Sequence, residues 1–320
     1  MEIVFAFSLL SKEILDHVRR SWNESRYDYS AITERTPLRW PNNSRVAFWL
    51  VPNIEYYPPD MHSGLLDSSM PDIKPDVLNF SWKDYSLRVG LWRVMEAMDR
   101  YNVKGTVALN SVVCELYPNV IRECKKRGWE FMGHGICNAW SMADFNEEEE
   151  RDVVRETVRT IAKHCGKTPR GWLGPALAES PNTPEILVEN GIRYVCDWVN
   201  DDQPYSMKTK NGRSIISIPY SIEINDYSFF IRQALTPQEF YQVCVEQFDT
   251  LYREGKDNGR VMCLPIHPFL VGQPFRFGYF EKLLKYITTK DGVWVTTGSE
   301  IVDWYVRKYL RGKQQQKEKT

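Results

Sequence analysis

The sequence predicts an α/β protein, a deformed (β/α) barrel of about seven to eight parallel strands. Short apolar runs recur along the 320 residues and alternate with stretches of helical periodicity. The run at 45–51 is almost continuously apolar, which is typical of a strand covered on both faces. Neither a linker-like composition nor a repeat of fixed period interrupts this alternation, so we expect a single barrel domain.

Eight runs have the length and composition of strands, and they lie at 45–51, 106–109, 129–132, 171–173, 192–196, 214–220, 261–266 and 293–297. The first is expected to stop at Pro52, because proline cannot donate to a strand ladder. We expect helices after the last two strands, from near Leu87 to Tyr101, and at 118–127, 146–165, 182–190 and 236–254. Thr236 and Glu239 form a capping-box pattern at the start of the helix at 236–254.

Other segments lie outside this alternation. We expect residues 1–34 to form an N-terminal helical extension, 35–310 to form the barrel domain and 311–320 to be a disordered tail. Residues 58–81 contain several prolines and little periodicity, which predicts a long ordered loop. The four glutamates at 147–150 begin a helix that ends in basic residues. We therefore interpret them as a solvated helix face rather than a metal site.

The composition restricts the class of function. Lys and Arg number 41 against 42 Asp and Glu, and no basic stripe of the kind that binds nucleic acid is present. No apolar run reaches the length of a membrane span, so we expect no membrane partner. Seven scattered cysteines without a C-x-x-C pair favour buried thiols in a reducing cytoplasm. An apolar N-terminal helix and eleven tryptophans indicate a homo-oligomer and an aromatic-lined pocket for a small molecule.

Polar side chains follow several of the predicted strands. In a parallel barrel the carboxyl ends of the strands meet on one rim, and active sites lie there. His134 stands between Gly133 and Gly135 at the end of a buried strand, where an imidazole can titrate, hold a metal or orient a substrate. The full set on this rim is Asn53, Glu55, His134, Asn138, Trp140, Trp172, Glu179, Asp197, Asp201 and His267. Two histidines and several carboxylates together suit general acid–base chemistry.

These residues and their neighbours carry a family resemblance over roughly residues 35–308. Its motifs are Arg39-Trp-Pro, Asn53-x-Glu55, Gly128-Trp-Glu130 with His134-Gly135, Gly171-Trp172, Ser180-Pro-Asn-Thr183, Asp197-x-x-x-Asp201-Asp202-x-Pro204-Tyr205 and Ile266-His-Pro268. In order and spacing the chain resembles the NodB-type polysaccharide deacetylase superfamily, in the branch of the metal-independent allantoinases and cyclic imidases. The resemblance implies a catalytic barrel and hydrolysis of a non-peptide C–N bond in a small, cyclic amide, imide or ureide.

The chain departs from the metal-binding members of that superfamily at two positions. Those members resemble one another in an aspartate after the first strand and a His-x-x-x-His pair after the third. Here the acidic position is Glu55 and the second histidine position is Asn138, so the implied ligands are Glu55, His134 and Asn138. An amide oxygen is a weak zinc ligand. We therefore expect no tightly bound cofactor, although zinc or another divalent metal remains an alternative.

The resemblance also implies roles for the rim residues. Either Glu55 or His134 would deprotonate a water, and His267 would protonate the leaving nitrogen or stabilise the oxyanion. Asp197 would orient a ring N–H or a partner histidine, and Asn53, Asn138, Trp140, Trp172, Glu179 and Asp201 would bind substrate. Two other functions stay open: a metal-dependent N-deacetylase of amino sugars, and a binding protein without catalytic activity.

Overall fold

The computed structural model describes residues 26–60 and 74–310. The predicted N-terminal helix, most of the 58–81 loop and the 311–320 tail lie outside these residues. Nine strands form one sheet in the described part, and they are β1 Val46–Ile54, β2 Thr106–Leu109, β3 Glu130–Gly133, β4 Gly171–Trp172, β5 Tyr194–Val195, β6 Tyr205–Lys208, β7 Ser214–Ser217, β8 Arg260–Ile266 and β9 Val293–Thr296. The predicted α/β barrel is confirmed.

The strand order across the sheet is β6-β7-β5-β4-β3-β2-β1-β8, and β9 pairs with β1. All pairings are parallel except that of β6 with β7. Within the described residues the end strands β6 and β8 do not pair, so the barrel is incomplete on that side. This order places the carboxyl ends of β1, β3, β4, β5 and β8 around one opening.

Alternation along β1 divides the core into two layers. Ala47, Trp49 and Val51 face the inside of the barrel, where they pack with inward residues of β5, β7 and β8. Phe48 and Leu50 face the helices and belong to the larger outer cluster. Because every residue of β1 is buried, the strand is covered on both faces, as its apolar sequence predicts.

The helices lie mainly between consecutive strands, and they are α1 Val77–Tyr85, α2 Leu91–Arg100, α3 Val113–Leu116, α4 Pro118–Lys126, α5 Glu147–Cys165, α6 Thr183–Glu189, α7 Pro237–Glu254, α8 Pro268–Val271, α9 Pro274–Thr288 and α10 Gly298–Tyr305. The predicted capping box of α7 is present, since Thr236 and Glu239 satisfy each other's backbone N–H groups. Asn146 and Glu149 form a second capping box at the start of α5. Among the described helices none is both long and apolar enough to cross a membrane.

Two predicted boundaries near the site are wrong. Strand β1 continues through Pro52 to Ile54, because the fixed φ of proline suits extended backbone and Pro52 still pairs with Ile266 in the ladder. The expected 58–81 loop ends early, because α1 begins at Val77. The side chain of Asp76 caps that helix by accepting from the backbone N–H of Asn79.

Two further features were not predicted. Strand β6 lies antiparallel on the edge of the sheet, although its sequence at 205–208 shows no apolar run. The glutamate run is only partly solvated. Glu147, Glu148 and Glu149 are exposed, whereas Glu150 is buried and accepts hydrogen bonds from the hydroxyl groups of Ser180 and Thr183. Its burial comes from contact with a distant loop, which helical periodicity does not report.

Candidate active site

A cavity of about 590 Å³ opens at the carboxyl ends of the strands. Its wall includes Asn53, Glu55, Tyr57, His134, Asn138, Trp140, Leu173, Asp197, Tyr220, Tyr227, Arg232 and His267. Trp140 is 38% exposed at the cavity, whereas Glu55, His134 and His267 are each less than 10% exposed. Ordinary ligand pockets in proteins have volumes of roughly 300–1,000 Å³, so this cavity fits a compact molecule.

The end of β3 holds His134 rigidly. Its backbone N–H donates to Leu109 and its carbonyl accepts from the side-chain amide of Asn110, both on the neighbouring segment. Gly135 follows with a φ of +68°, a left-handed conformation that favours glycine. The ring Nδ1 lies 2.6 Å from the carbonyl oxygen of Leu173. Since a carbonyl can only accept, Nδ1 carries a hydrogen and Nε2 faces Glu55.

Glu55 lies at the centre of the cavity floor. Its Oε1 is 3.2 Å from Nε2 of His134 and 3.6 Å from Nε2 of His267. Its Oε2 accepts from the Tyr57 hydroxyl at 2.7 Å, and that hydroxyl accepts from the Asn138 amide at 2.7 Å. Burial alone would raise the pKa of Glu55, but His267 and His134 lower it well below its usual range. The group is therefore a stable carboxylate.

His267 leaves β8 and enters α8, and a buried aspartate fixes its ring. Nδ1 of His267 lies 2.7 Å from Oδ1 of Asp226, and Asp226 is fully buried. Burial alone would lower the pKa of His267, but Glu55 and Asp226 together raise it to about 10. His267 is thus an imidazolium at neutral pH, and its Nε2 N–H points toward Glu55.

The structure brings most of the predicted site residues together, and it places three of them elsewhere. The Trp172 side chain is fully buried beneath β3, where its ring packs on Gly133. Asp201 forms an ion pair with Arg35 at 2.7 Å and caps a turn by accepting from the backbone N–H of Gln203. Glu179 lies behind the cavity wall and accepts from the indole N–H of Trp198. None of the three lines the cavity.

The remaining predicted residues have specific partners. Asn53 is buried and donates to the carbonyl of Ile266, next to His267. Asp197 lines the cavity but pairs with none of the described histidines, contrary to one role expected for it. Its Oδ1 instead accepts from the backbone N–H of Gly174 at 2.7 Å.

Hydrophobic periodicity in the sequence does not identify three residues of the site. Asp226 lies in a short helical turn between the 3-10 turn at Ile222–Ile224 and the π-helical turn at Ser228–Arg232, and not at a strand end. Tyr57 follows β1 beside another tyrosine, and Asn110 follows β2. Asn110 could have been found as a polar residue at a strand end, by the rule that selected Asn53.

The candidate metal ligands do not fit a resident zinc ion. Among residues 26–60 and 74–310, no group of three or more His, Cys, Asp or Glu side chains could hold a metal. The third donor would be the amide oxygen of Asn138, which is buried and has no hydrogen-bond partner in the described part of the chain. A neutral amide oxygen is a hard ligand, whereas zinc prefers imidazole or thiolate. Glu55 and His134 alone would hold a divalent ion weakly.

Known proteins resemble this chain in sequence and in fold. Residues 75–195 match the family model of the polysaccharide deacetylases. A polysaccharide deacetylase-type protein of Schizosaccharomyces pombe is 28% identical over 302 residues, which cover 84% of this chain and 93% of that protein. The peptidoglycan deacetylase of Helicobacter pylori is 25% identical over 287 residues, covering 79% of this chain and 96% of its own.

The fold has a counterpart among solved structures. PuuE allantoinase superposes with a TM-score of 0.80 at 24% identity, and the match covers 88% of this chain and 98% of that one. This likeness extends the shared fold beyond the segment matched by the family model. Residues 75–195 therefore match a polysaccharide deacetylase domain, and the chain is a hydrolase of carbon–nitrogen bonds other than peptide bonds.

Proposed function

We propose that this hydrolase opens the C–N bond of a small cyclic amide, imide or ureide, and that it does so without a resident metal. The observation that carries the proposal is the position of Glu55, a carboxylate between the Nε2 atoms of His134 and His267. The cavity of about 590 Å³ has room for a compact ring above these three groups. A protein that shares the fold is named an allantoinase, which supports this substrate class.

In this proposal His134 is the general base. Its Nδ1–H is committed to Leu173, so the lone pair of the neutral ring is on Nε2, which takes a proton from a water molecule and then donates it toward Glu55. Glu55 is less suited to that role, because its lowered pKa makes the carboxylate a weak proton acceptor. Its negative charge instead stabilises the imidazolium that forms on His134. The water oxygen then attacks the carbonyl carbon of the substrate.

His267 is the general acid. The attack gives a tetrahedral intermediate with a negative oxygen, and the Nε2 N–H of His267 is a charged donor toward that side of the cavity. When the C–N bond breaks, the leaving nitrogen takes the proton of His267. The proton that His134 took from water then passes to His267, so that both histidines return to their starting charge. A cyclic substrate keeps its leaving nitrogen tethered, so a single opened product is released.

The test is turnover on a matched panel of cyclic ureides, cyclic imides and N-acetylated amino sugars, each with and without a chelator. We expect opening of a ureide or imide ring at an unchanged rate in the chelator. A His134→Gln variant, which keeps a similar volume but has no basic nitrogen, is the matched negative control. Turnover confined to N-acetyl sugars and abolished by the chelator would establish the metal-dependent deacetylase instead. No turnover on any substrate would favour a binding protein.

We further propose a homo-oligomer located in a reducing compartment such as the cytoplasm. All seven cysteines are buried free thiols, which supports the compartment. Support for the assembly comes from the apolar N-terminal sequence and the eleven tryptophans. Exposed large apolar side chains such as Phe275, which is 63% exposed, also support it. Light scattering at micromolar concentration should give a multiple of the 37.6 kDa chain mass, and a monomer mass would refute the assembly.

A further inference from the structure

One peptide bond connects the imidazole of the proposed base to a half-buried acid, Asp197. The carbonyl oxygen of Leu173 accepts from Nδ1 of His134 at 2.6 Å, and the N–H of Gly174 in the same peptide unit donates to Oδ1 of Asp197 at 2.7 Å. Both hydrogen bonds are short; the one at His134 is buried and the one at Asp197 is partly buried. The two ends of a single amide dipole therefore join His134 to Asp197, which does not touch the histidine itself.

A second acid stands behind Asp197. The carboxyl groups of Glu179 and Asp197 are neighbours, and each acts on the pKa of the other. Oε2 of Glu179 accepts from Trp198, while Oε1 of Glu179 and Oδ2 of Asp197 are buried without an N–H or O–H partner among the described residues. A proton held between these two oxygens satisfies both of them.

The electrostatics of the pair agree with a shared proton. Burial raises the pKa of Asp197 well above its usual range, and the neighbouring Glu179 raises it further. Burial also raises the pKa of Glu179 to about 7. The other charges that act on Glu179 are those of Arg26 and Glu150, which have opposite signs. Two adjacent half-buried carboxyls that hold one proton carry a single negative charge.

We propose that Asp197 is a positioning residue that orients and polarises His134 through the Leu173–Gly174 peptide, and that Glu179 holds Asp197 in this role by sharing a proton with it. Partial negative charge on Asp197 draws the N–H of Gly174 toward it. This polarises the peptide and makes the Leu173 carbonyl a stronger acceptor for Nδ1 of His134, since hydrogen bonds in a chain reinforce one another. A stronger acceptor at Nδ1 holds the ring with Nε2 toward Glu55 and the cavity, as carboxylates orient metal-bound histidines.

The decisive readout is the ring Nδ1–H proton signal of His134 in protein labelled with ¹⁵N-histidine. Asp197→Asn keeps an oxygen that can accept from Gly174 but removes the negative charge, so this signal should move upfield. Glu179→Gln supplies an amide N–H to Asp197 and leaves the charge on Asp197, so the signal should move downfield. The corresponding signal of His267 is the internal control and should not move, because its partner is Asp226.

Opposite displacements separate this role from simple packing. An unmoved His134 signal in Asp197→Asn, or an upfield move in both variants, would overturn the proposal. If Asp197→Asn does not fold, Glu179→Gln alone tests the proposal: a downfield move of the His134 signal supports it, and an upfield move or no move contradicts it.

The inference rests on the proposed function only in treating His134 as the base. On a substrate found in the panel above, Asp197→Asn should lower kcat about 10- to 100-fold and leave KM unchanged, the usual range for a residue that orients a functional histidine. A rise in KM at unchanged kcat would contradict the positioning role. Failure of every substrate would sink the proposed function and leave the spectroscopic test intact.

Discussion

Asp226 accepts two hydrogen bonds from a single residue, His267. Its Oδ1 lies 2.7 Å from the ring Nδ1 and its Oδ2 lies 2.8 Å from the backbone nitrogen of that histidine. The double contact fixes both the ring and the strand end that carries it. Nδ1 must carry a hydrogen, so Nε2 is directed into the cavity toward Glu55. His267, the acid of the proposed reaction, is thus oriented by Asp226, a residue that lies outside the Ile266-His-Pro268 motif.

This contact sets an alkaline limit on activity. Because His267 acts in its protonated form and its pKa is raised to about 10, kcat/KM should fall as the pH rises through that value. Asp226→Asn removes an anion that favours the imidazolium, so the alkaline limb should move to lower pH. Values of kcat/KM measured over a pH series locate the alkaline limb in the wild-type protein and in the variant. A His164→Asn control, at a histidine outside the cavity, should leave the limb in place, and an unmoved limb in Asp226→Asn would refute this coupling.

The proposed base gives a second prediction. His134→Ala should fold and lose at least about a hundredfold in kcat, the scale of a general acid–base group. Circular dichroism and the thermal transition establish folding, and steady-state kinetics give the rate. Turnover at the wild-type rate in a folded His134→Ala protein would end the hypothesis that this imidazole is catalytic.

The third prediction concerns zinc. Asn138 lies four residues after His134, and its side chain lines the same cavity. An imidazole at this position would add a third good ligand to Glu55 and His134. We expect wild-type protein purified without added metal to carry well under one equivalent of zinc, by metal analysis. Asn138→His should bind zinc measurably tighter in competition with a chromophoric chelator.

The matched control for this experiment is Asn138→Gln, which keeps an amide and should not gain affinity. If the wild-type protein loses all activity in a chelator and regains it with zinc, the metal-independent interpretation is wrong.

A fourth prediction concerns the neighbouring carboxyl groups of Glu179 and Asp197. Burial raises the pKa of Glu179 from its usual 4.5 to about 7, so the folded protein holds this proton more tightly than the unfolded chain. Its contribution to stability is complete below pH 4.5 and is lost as the pH rises through about 7. The free energy of unfolding should therefore decline across this window in wild-type protein, as measured by urea denaturation at several pH values. In Glu179→Gln the decline should be smaller, and an identical slope would contradict the assignment.

Much of the fold follows from local sequence. Apolar runs predict eight of the nine strands, and capping patterns such as Thr236 with Glu239 mark helix starts, because both depend on residues only a few positions apart. The strand-end rule selects Glu55, His134 and His267, and the structure places these three around one cavity. Parallel strands bring their carboxyl ends to one rim whatever lies between them in the chain, so this juxtaposition follows from fold class alone.

Contacts between distant segments decided the rest. Trp172 follows the same rule as His134, yet it is buried, because Gly133 on the neighbouring strand leaves space for its ring. Asp226 lies 41 positions from His267, and only the path of the chain brings them together. Hydrophobic periodicity reports which face of an element is covered, but the partner of a buried polar group depends on strand register and loop path. These are fixed only when the whole chain has packed.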